Sequence, residues 1–446
     1  MSGRTITEKI IDGNTDWEKT KKLNGNGRVV NVDLLLTHDV CGPPTSGIFY
    51  QEFGRNARVW DPRKVVIIPD HYIFTKDATA ARNIQVMRDF AKEQGITNFY
   101  DVETPRYRGV CHVALPEAGH VKPGQVIFGT DSHTCTHGAL GTVSAGIGNT
   151  TGAYILGTGH ALMNVPESIK FRLENLLPAY TSAKDVILKI IGEIGTDGAD
   201  FKAMEFCGPA IERLGIEDRM TICNMAIEAG GNGIIAPDEK TLDYVRLRRS
   251  MSRSECSNLK KLIQELQSDP EAKYLKKFVW DASQIEPMAA CPHSPGNVKR
   301  VRDLDVKLDS VYIGSCTGGK KKDFFDAAMV FYRYGKKASI PLLLVPATCE
   351  VVDFIQTEKI GGKTLYNIFE ESGADMNSMG QPSCAACLGG PKDTYGRIND
   401  EPNHNRASTT NRNFPKRMGS GNVYLVSPFT AAASAIKGKL TDLRDL

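Results

Sequence analysis

The chain has 446 residues, of which 41% are hydrophobic and 24% are charged, and its formal net charge is +3. This length exceeds what one hydrophobic core usually supports, so we expect roughly two to four domains. The small net charge and a mean hydropathy of −0.28 are typical of a globular protein and argue against nucleic acid or a membrane surface as the main partner.

The amino terminus and the cysteines indicate a reducing compartment. No apolar run has the length of a membrane span, and the opening sequence MSGRTITEKIIDGNTDWEK lacks the apolar core of a signal peptide. The 11 cysteines are odd in number and irregularly spaced, unlike a secreted disulfide scaffold. We therefore expect a cytoplasmic protein, or one in an organelle stroma or matrix if a targeting segment has been removed.

Three short apolar runs, each ending in polar residues, are the first predicted elements. They are VVIIPDH at 65–71, GQVIFGTDSHT at 124–134 and DSVYIGSCTGGK at 309–320. Each pattern predicts a buried strand with polar side chains at its carboxyl end, which is where open α/β sheets bind ligands.

Helices are predicted between these strands. TSAKDVILKIIGEIG at 181–195 has apolar residues at helical spacing, with Ser182 as the cap and Gly195 as the stop. SPFTAAASAIKG at 427–438 begins with Ser-Pro, which suits the cap and first-turn positions. Strands that alternate with helices predict an α/β fold.

The stretch 246–300 differs from the rest in composition. It is first charged and then rich in turn residues, which predicts a surface helix followed by a linker that ends near residue 305. We expect three α/β domains, at residues 1–165, 166–300 and 301–446.

Cys316, Cys384 and Cys387 differ from the other cysteines because all three lie in loop sequences. Cys316 is in GSCTGG after a predicted strand, where backbone N–H groups favour a thiolate, and PSCAACLGGP holds the other two as a C-x-x-C pair. Any one of them alone is more often a buried core residue. A C-x-x-C pair also occurs in thioredoxin-type redox sites and in zinc sites.

The surrounding sequence disfavours these two alternatives. The redox motif belongs at the start of a helix in a small βαβ domain, and a structural zinc site needs a fourth ligand that this sequence does not offer at short spacing. Iron–sulfur ligation by three cysteines remains. It leaves one iron without a cysteine ligand, which can act as a Lewis acid.

Histidines follow the predicted strands beside carboxylates. Asp70-His71 ends one run, Asp131 and His133 end the next, and His112 lies in GVCHVALPEAGH. A carboxylate paired to an imidazole fixes its tautomer and raises its basicity, as acid–base catalysis requires. A single histidine of this kind is usually structural, but three in similar positions predict a site.

Three further histidines have a weaker context. His38-Asp39 in LLLTHDVCGPP is either a fourth candidate pair or a pair that structures its loop. We expect His120 and His137 to be structural.

The segment TTNRNFPKRMG at 409–419 carries two arginines, Arg412 and Arg417, in an irregular sequence. Guanidinium binds carboxylate through two hydrogen bonds, so two nearby arginines can hold a diacid. The alternative is a pair of solvated surface arginines, which the polar neighbours and the lack of a helical period disfavour.

Taken in order, these motifs resemble the aconitase superfamily over nearly the whole chain. They are THDVCGP, VIIPDHYIFT, GVCHVAL, GTDSHTCTHGALG, MTICNMAIEAGG, YIGSCTGGK, PSCAACLGGPKDTY and STTNRNFPKRMG. The resemblance implies a three-domain α/β/α architecture and a hydro-lyase that removes and re-adds water on a hydroxy-dicarboxylate. Within the superfamily the chain looks most like the large subunits of two-subunit members of plants and some bacteria.

By this resemblance Cys316, Cys384 and Cys387 hold one 4Fe–4S cluster per chain, with one iron not ligated by cysteine. His71, paired with Asp70, matches the residue that protonates the leaving hydroxyl. The other matches are two His–carboxylate pairs, His112 with Asp131 and His133 with Glu228; asparagines that line the cluster, Asn224 and Asn411; and arginines that bind the substrate carboxylates, Arg412 and Arg417.

The sequence departs from the family pattern in two places. Lys416 stands before Arg417 where the family often has glycine. The serine motif of the family's swivel domain does not occur in this sequence, so the resemblance implies a small-subunit partner that carries the swivel domain and the catalytic serine.

The main alternative is a non-catalytic scaffold, like the RNA-binding members of the superfamily. Those are long single chains that keep the swivel domain, whereas this sequence has neither the swivel motif nor a basic excess. Relatives that act on homocitrate, methylmalate, dimethylmalate or maleate share the motifs, so the motifs by themselves leave the substrate open among hydroxy diacids.

Overall fold

The computed structural model describes residues 3–23, 27–384, 391, 393–394 and 401–446. Within them, three sheets have four or more strands each. Helices alternate with strands over much of the chain, and most strands of these sheets are parallel, so the α/β class predicted from the sequence is confirmed. Short 3-10 helices lie at Pro62–Lys64, Ser132–Leu140, Ala226–Ala229, Ala282–Gln284, Val301–Asp303, Asn377–Gly380 and Leu443–Asp445. The three domain boundaries stay a prediction.

The first sheet is parallel and is built from the amino-terminal part of the chain. The strands here are β1 Gly27–Asn31, β2 Leu34–Thr37, β3 Val65–Ile67, β4 Val126–Gly129, β5 Val143–Gly146 and β6 His160–Asn164. The helices are α1 Ile6–Asn14, α2 Trp17–Thr20, α3 Gly42–Phe53, α4 Ala78–Gln94, α5 Cys111–Glu117 and α6 Asn149–Thr158. The sheet order is β3-β2-β4-β5, while β1 and β6 form an antiparallel ribbon. β2 and β4 are buried throughout, as expected of central parallel strands.

The second sheet has four parallel strands in the order β10-β7-β8-β9. These are β7 Ser168–Glu174, β8 Ala203–Cys207, β9 Asn232–Ile235 and β10 Lys276–Asp281. Its helices are α7 Ala183–Ile194, α8 Pro209–Arg213, α9 Ile216–Met225, α10 Glu239–Arg248 and α11 Arg253–Glu265. Helix α7 begins after Ser182, whose hydroxyl accepts the Lys184 N–H, and ends at Gly195, as predicted.

The third sheet is mixed and has the order β12-β11-β18-β17-β13-β14. The strands of this region are β11 Met288–Ala290, β12 Val298–Arg300, β13 Ser310–Gly314, β14 Leu342–Val345, β15 Lys359–Ile360, β16 Lys363–Thr364, β17 Asn405–Ser408 and β18 Asn422–Leu425. The helices are α12 Ser315–Gly318, α13 Lys321–Tyr334, α14 Cys349–Thr357, α15 Leu365–Ser372 and α16 Pro428–Lys437. β13, β14, β17 and β18 run parallel, and β11 and β12 are antiparallel additions at one edge.

The prediction that a linker follows the surface helix up to residue 305 is wrong. Helix α11 confirms the surface helix, but β10 then forms an edge of the second sheet, and β11 and β12 extend the third. β11 and β12 have three residues each, too few to show a two-residue period in the sequence. Their pairing comes from a distant strand, since Ala290 lies opposite Leu425.

The carboxyl ends of strands in the first and third sheets approach each other, with α9 beside them. The carbonyl of Asp70, after β3, accepts the Cys384 N–H at 2.8 Å. The Thr221 hydroxyl on α9 donates to the carbonyl of Thr317, after β13, at 3.1 Å. These contacts bring polar loops from separate parts of the chain to one place. Among the described residues, no helix has both the length and the apolarity to cross a bilayer.

Candidate active site

Three adjacent strands of the first sheet deliver the polar side chains that the sequence singles out. Because β3, β2 and β4 are parallel neighbours, their carboxyl ends lie at one edge of the sheet. His38 follows β2 directly, and Asp131 and His71 lie in the loops that follow β4 and β3. The edge therefore collects one imidazole or carboxylate from each strand.

The Asp70–His71 pair is buried and holds a proton. His71 donates its Nδ1–H to Oδ1 of Asp70 at 2.6 Å, and the other carboxylate oxygen accepts the Cys111 N–H at 2.7 Å. Burial alone would lower the pKa of His71, but the charge and hydrogen bond of Asp70 outweigh it and raise the pKa to about 9. His71 is therefore protonated at neutral pH, with Nε2–H as its remaining donor.

Asp39 fixes the backbone that carries this pair. Its carboxylate accepts three successive N–H groups, from Asp70 at 2.9 Å, His71 at 3.0 Å and Tyr72 at 2.7 Å. The neighbouring His38 ring stacks on the His71 ring with centroids 4.3 Å apart. The His38-Asp39 motif thus structures the loop after β3, which is one of the two roles that the sequence left open for it.

Asp131 lies at the centre of four imidazoles. Its Oδ1 accepts hydrogen bonds from Nε2 of His112 at 2.7 Å and from the His133 N–H at 2.8 Å. Its Oδ2 is 3.8 Å from Nε2 of both His38 and His71. Burial opposes its ionisation, but the charges and hydrogen bonds of His112 and His133 hold the pKa of Asp131 well below the usual value.

A hydrogen-bonded chain links this edge to the loop after β17. Nε2 of His133 is 2.9 Å from Oε1 of Glu228, and the same oxygen accepts the Nε–H of Arg412 at 2.6 Å. Burial and the Arg412 charge act to lower the pKa of His133, yet Asp131 and Glu228 raise it above its usual value. Glu228 therefore joins an imidazole and a guanidinium that lie far apart in sequence.

The sulfur of Cys316 lies against two side-chain amides. Cys316 follows β13 and is 1% exposed. Asn224 and Asn411 each donate an Nδ2–H to its Sγ at 3.3 Å, and the Asn411 amide also reaches Oδ1 of Asn224 at 3.2 Å. Two donors aimed at one sulfur stabilise a thiolate, which is the form that binds metal.

These surroundings fit a metal cluster held by cysteine. Cys384 is 2% exposed and joins the Asp70 backbone, so it lies on the His71 side of the site, whereas Cys387 falls outside the described residues. Three buried atoms nearby have no hydrogen-bond partner among the described residues, namely His38 Nε2, His112 Nδ1 and Asn411 Oδ1. Soft sulfur ligands beside unsatisfied polar atoms suit an iron–sulfur group together with a polar ligand.

In the 409–419 segment, the Nε of Arg412 is hydrogen-bonded to Glu228, whereas that of Arg417 is not hydrogen-bonded to any of the described residues. Arg417 is half-buried. Lys416 before it has a φ of 65°, the left-handed conformation that glycine adopts without strain. Lys416 therefore keeps the backbone shape that a glycine at this position would give.

His120 and His137, the two histidines predicted to be structural, lie outside these pairs. Nε2 of His120 is 2.6 Å from the Tyr100 hydroxyl, and His137 is 1% exposed, with a pKa that burial holds well below its usual value. Neither has a carboxylate partner among the described residues, which is consistent with the structural roles expected of them.

Lys184 was not predicted from the sequence to be a site residue, yet it contacts the backbone of a loop that lines the site. It donates to backbone carbonyl groups next to Asn411. The signal was present in the sequence: Lys184 lies three and seven residues before Ile187 and Ile191, so it falls on the apolar face of α7.

Comparison with known proteins gives the following similarities. The model of the aconitase family (aconitate hydratase) matches residues 8–305 and 298–438. The chain is 50% identical over 458 aligned positions to the 3-isopropylmalate dehydratase large subunit, chloroplastic, of Arabidopsis thaliana, which covers 100% of this chain and 87% of that protein.

Two further relatives are similar over the same span. The chain is 42% identical over 441 positions to the probable 3-isopropylmalate dehydratase large subunit of Methanothermobacter thermautotrophicus, covering 98% of each. It is 41% identical over 446 positions to 3-isopropylmalate dehydratase large subunit 1 of Methanopyrus kandleri, covering 99% of each.

Proposed function

The chain belongs to the aconitase family, and from that premise we propose that it is the large subunit of a 3-isopropylmalate dehydratase. Such an enzyme interconverts 2-isopropylmalate and 3-isopropylmalate by dehydration and rehydration, a step of leucine biosynthesis. The observation that carries the proposal is that one of the imidazole–carboxylate pairs is hydrogen-bonded to Arg412, while Asn411 next to Arg412 contacts the sulfur of Cys316.

His71 is the proposed acid for the departing hydroxyl. Its Nδ1–H is engaged by Asp70, so the Nε2–H is the proton that it can transfer. Nε2 donates this proton as the carbon–oxygen bond breaks, and the hydroxyl leaves as water. In the return direction Nε2 takes the proton back from the water that adds.

The remaining pairs hold the other polar groups of the site. His112 and His133 keep Asp131 ionised, and Glu228 orients the guanidinium of Arg412 through its Nε. This leaves the terminal nitrogens of Arg412 to bind a substrate carboxylate with two hydrogen bonds. We assign the second carboxylate to Arg417.

Asn224 and Asn411 contribute amide groups on the cysteine side of the site. Both already contact the sulfur of Cys316, so their position is fixed by that loop. We propose that they line the site where the substrate meets the cofactor.

The cofactor in this proposal is one 4Fe–4S cluster held by Cys316, Cys384 and Cys387. When bound, it supplies a Lewis acid at the iron that lacks a cysteine ligand. The buried thiols and the amide donors on Cys316 support this ligand set.

A small subunit completes the proposed site. The name large subunit, carried by the relatives, is consistent with a second polypeptide. We propose that this partner brings the swivel domain and a serine that takes the carbon-bound proton of the substrate. In the elimination the substrate loses its carbon-bound proton to this serine, and its hydroxyl leaves as water with the proton that His71 donates.

Activity of the reconstituted chain tests the proposal. The chain is purified anaerobically with and without the small-subunit gene product and assayed with 2-isopropylmalate, homocitrate, methylmalate, dimethylmalate and maleate. We expect bound iron, broad absorbance near roughly 400 nm, and turnover of 2-isopropylmalate that needs the partner. Turnover of another diacid instead would overturn the substrate assignment, and full activity of the chain alone would overturn the split site.

A further inference from the structure

Helix α7 carries two lysines with opposite surroundings. Lys184 is 3% exposed, whereas the side chain of Lys189 is 37% exposed and pairs with Glu193 at 2.6 Å. Burying an ammonium group is costly unless specific partners compensate for lost water. The burial of Lys184 therefore requires an explanation that Lys189 does not.

The partners of Lys184 are backbone carbonyl groups. Its Nζ donates to the carbonyl of Thr409 at 3.1 Å and to that of Thr410 at 2.5 Å. Among the described residues, no carboxylate oxygen lies within 4.0 Å of Nζ. The ammonium group thus holds one stretch of chain and has no direct counter-ion in the described part.

The stretch that Lys184 holds leads directly into the active site. Asn411, the next residue, donates to the sulfur of Cys316, and Arg412 after it pairs with Glu228. The position of these two side chains follows from the position of the backbone at Thr409 and Thr410. Lys184 is therefore placed to set both contacts through the backbone that precedes them.

A second lysine holds the cysteine loop in the same way. Lys320 is 1% exposed, donates to the carbonyl of Thr317, and pairs with Asp323 at 2.8 Å. The two loops touch, because the Thr409 hydroxyl accepts the Gly314 N–H at 2.9 Å and a Cβ on Gly318 would lie 2.2 Å from Cβ of Thr409. Two loops packed this closely share their position, and each is held by one of the two buried lysines.

The charge of Lys184 also acts on the sulfur. Burial and the charge of Lys320 lower the pKa of Lys184 to about 7, and the negative charges of Asp323, Cys316 and Asp185 act in the opposite direction. A negative charge at Cys316 and the Lys184 ammonium group therefore stabilise each other, in addition to the larger effect of Asp323.

We infer that Lys184 is a positioning residue of the active site, which aligns Asn411 with the sulfur of Cys316 and Arg412 with Glu228 and places a positive charge beside the loop that packs on the Cys316 loop. This inference rests on the proposed function for its catalytic meaning. The positioning of Asn411 and Arg412 by Lys184 can be tested on the chain without a cluster.

The test compares Lys184→Met with Lys189→Met in the complex with the small subunit. Methionine has a similar length to lysine but neither donates nor carries charge, and Lys189 offers a matched position on the same helix. We expect Lys184→Met to raise KM for 2-isopropylmalate by about tenfold or more, because Arg412 loses its alignment. We also expect the reduction potential of the cluster to become more negative, because a positive charge that favours the reduced form is lost. Lys189→Met should match the wild type in both.

Lys184→Arg separates the two roles and covers the case in which Lys184→Met does not fold. Arginine keeps the charge but presents a planar group to the two carbonyls, so the potential should stay near the wild-type value while KM rises. A KM and a potential in both variants that equal those of Lys189→Met would overturn the inference.

A crystal structure of a cluster-free Lys184 variant distinguishes this inference from the proposed function. We expect the amide of Asn411 to move out of hydrogen-bond reach of Sγ of Cys316. If the wild type proves to lack a cluster or the expected activity, the proposed function fails. The crystal structure of the variant still shows whether Lys184 positions Asn411. An unchanged contact between Asn411 and Cys316 would overturn the positioning role.

Discussion

The edges of the first and third sheets meet at one site but carry different chemistry. At the first, imidazoles are paired with carboxylates whose oxygens lie 2.6 to 2.9 Å from the ring nitrogens. At the third, a thiol meets two amides, and buried lysines hold backbone carbonyl groups of the loops that carry the thiol and one of the amides. In the proposed function, the first edge moves protons and the third holds an anionic ligand set.

The two edges also hold their loops by different means. On the first, the carboxylate of Asp39 accepts three successive N–H groups. On the third, buried ammonium groups take carbonyls, and two non-glycine residues are left-handed, Ser315 with a φ of 77° and Lys416 with a φ of 65°. Backbone strain of this kind concentrates at functional sites. An anion therefore fixes the acid–base loops, and cations fix the ligand loops.

Cys384→Ser tests the ligand side and has the largest expected effect. A hard hydroxyl replaces a soft thiolate, so we expect iron binding and turnover to be lost together. Iron and sulfide analysis with a visible spectrum measures the first, and a coupled assay measures the second. Cys256→Ser on α11 is the control, and a wild-type iron content in Cys384→Ser would contradict the ligand assignment.

His71→Asn tests the acid–base side and should leave the ligand side intact. Losing a positioned acid lowers kcat by about 10²- to 10⁴-fold, while iron content and the spectrum stay unchanged. His160→Asn, in the β6 ribbon, serves as the control. Near-normal turnover in His71→Asn would show that another group donates the proton.

Asp70→Asn tests how the acid–base side sets the proton affinity of His71. The pKa of His71 is about 9 because Asp70 outweighs burial, so its proton is present below that pH and is lost above it. Without the carboxylate, burial lowers the pKa, and the alkaline limb of the kcat profile moves to lower pH by about one unit or more. Asp305→Asn is the surface control. A limb at the same pH in both variants would rule out His71 as its origin.

Asp39→Asn tests the anion that fixes the acid–base loop. The amide keeps the shape but removes the charge and turns one acceptor into a donor, so we expect a loss of about 1–3 kcal/mol in the free energy of unfolding. Urea unfolding of the chain measures it, with Asp243→Asn on the exposed face of α10 as the control. Equal urea midpoints for the two variants would show that the Asp39 carboxylate does not stabilise the fold.

Lys416→Gly tests the strained backbone on the ligand side and has the smallest expected effect. Glycine relieves the left-handed conformation but is more flexible when unfolded, so the gain in unfolding free energy should be below about 1 kcal/mol. Lys416→Ala keeps the strain and should give no gain. A stability below the wild type in Lys416→Gly would mean that the lysine side chain has its own stabilising contacts.

Much of the fold was predictable where the signal is local. The strands that end at Ile67, Gly129 and Gly314 were visible as apolar runs followed by polar residues, and α7 was visible from its period and its caps. The strands after α11 were missed, because they are short and their order depends on partners elsewhere in the chain.

For the site, the sequence determined which residue types stand at the ends of strands, and the family resemblance indicated which of them pair. Only the tertiary structure decided that Asp39 holds the His71 loop and that Lys184 reaches the carbonyl of Thr410, 226 positions away. Local patterns report the conformation of one segment because they arise from neighbouring residues. Hydrogen bonds between segments depend on how whole sheets are placed, and no short stretch of sequence contains that information.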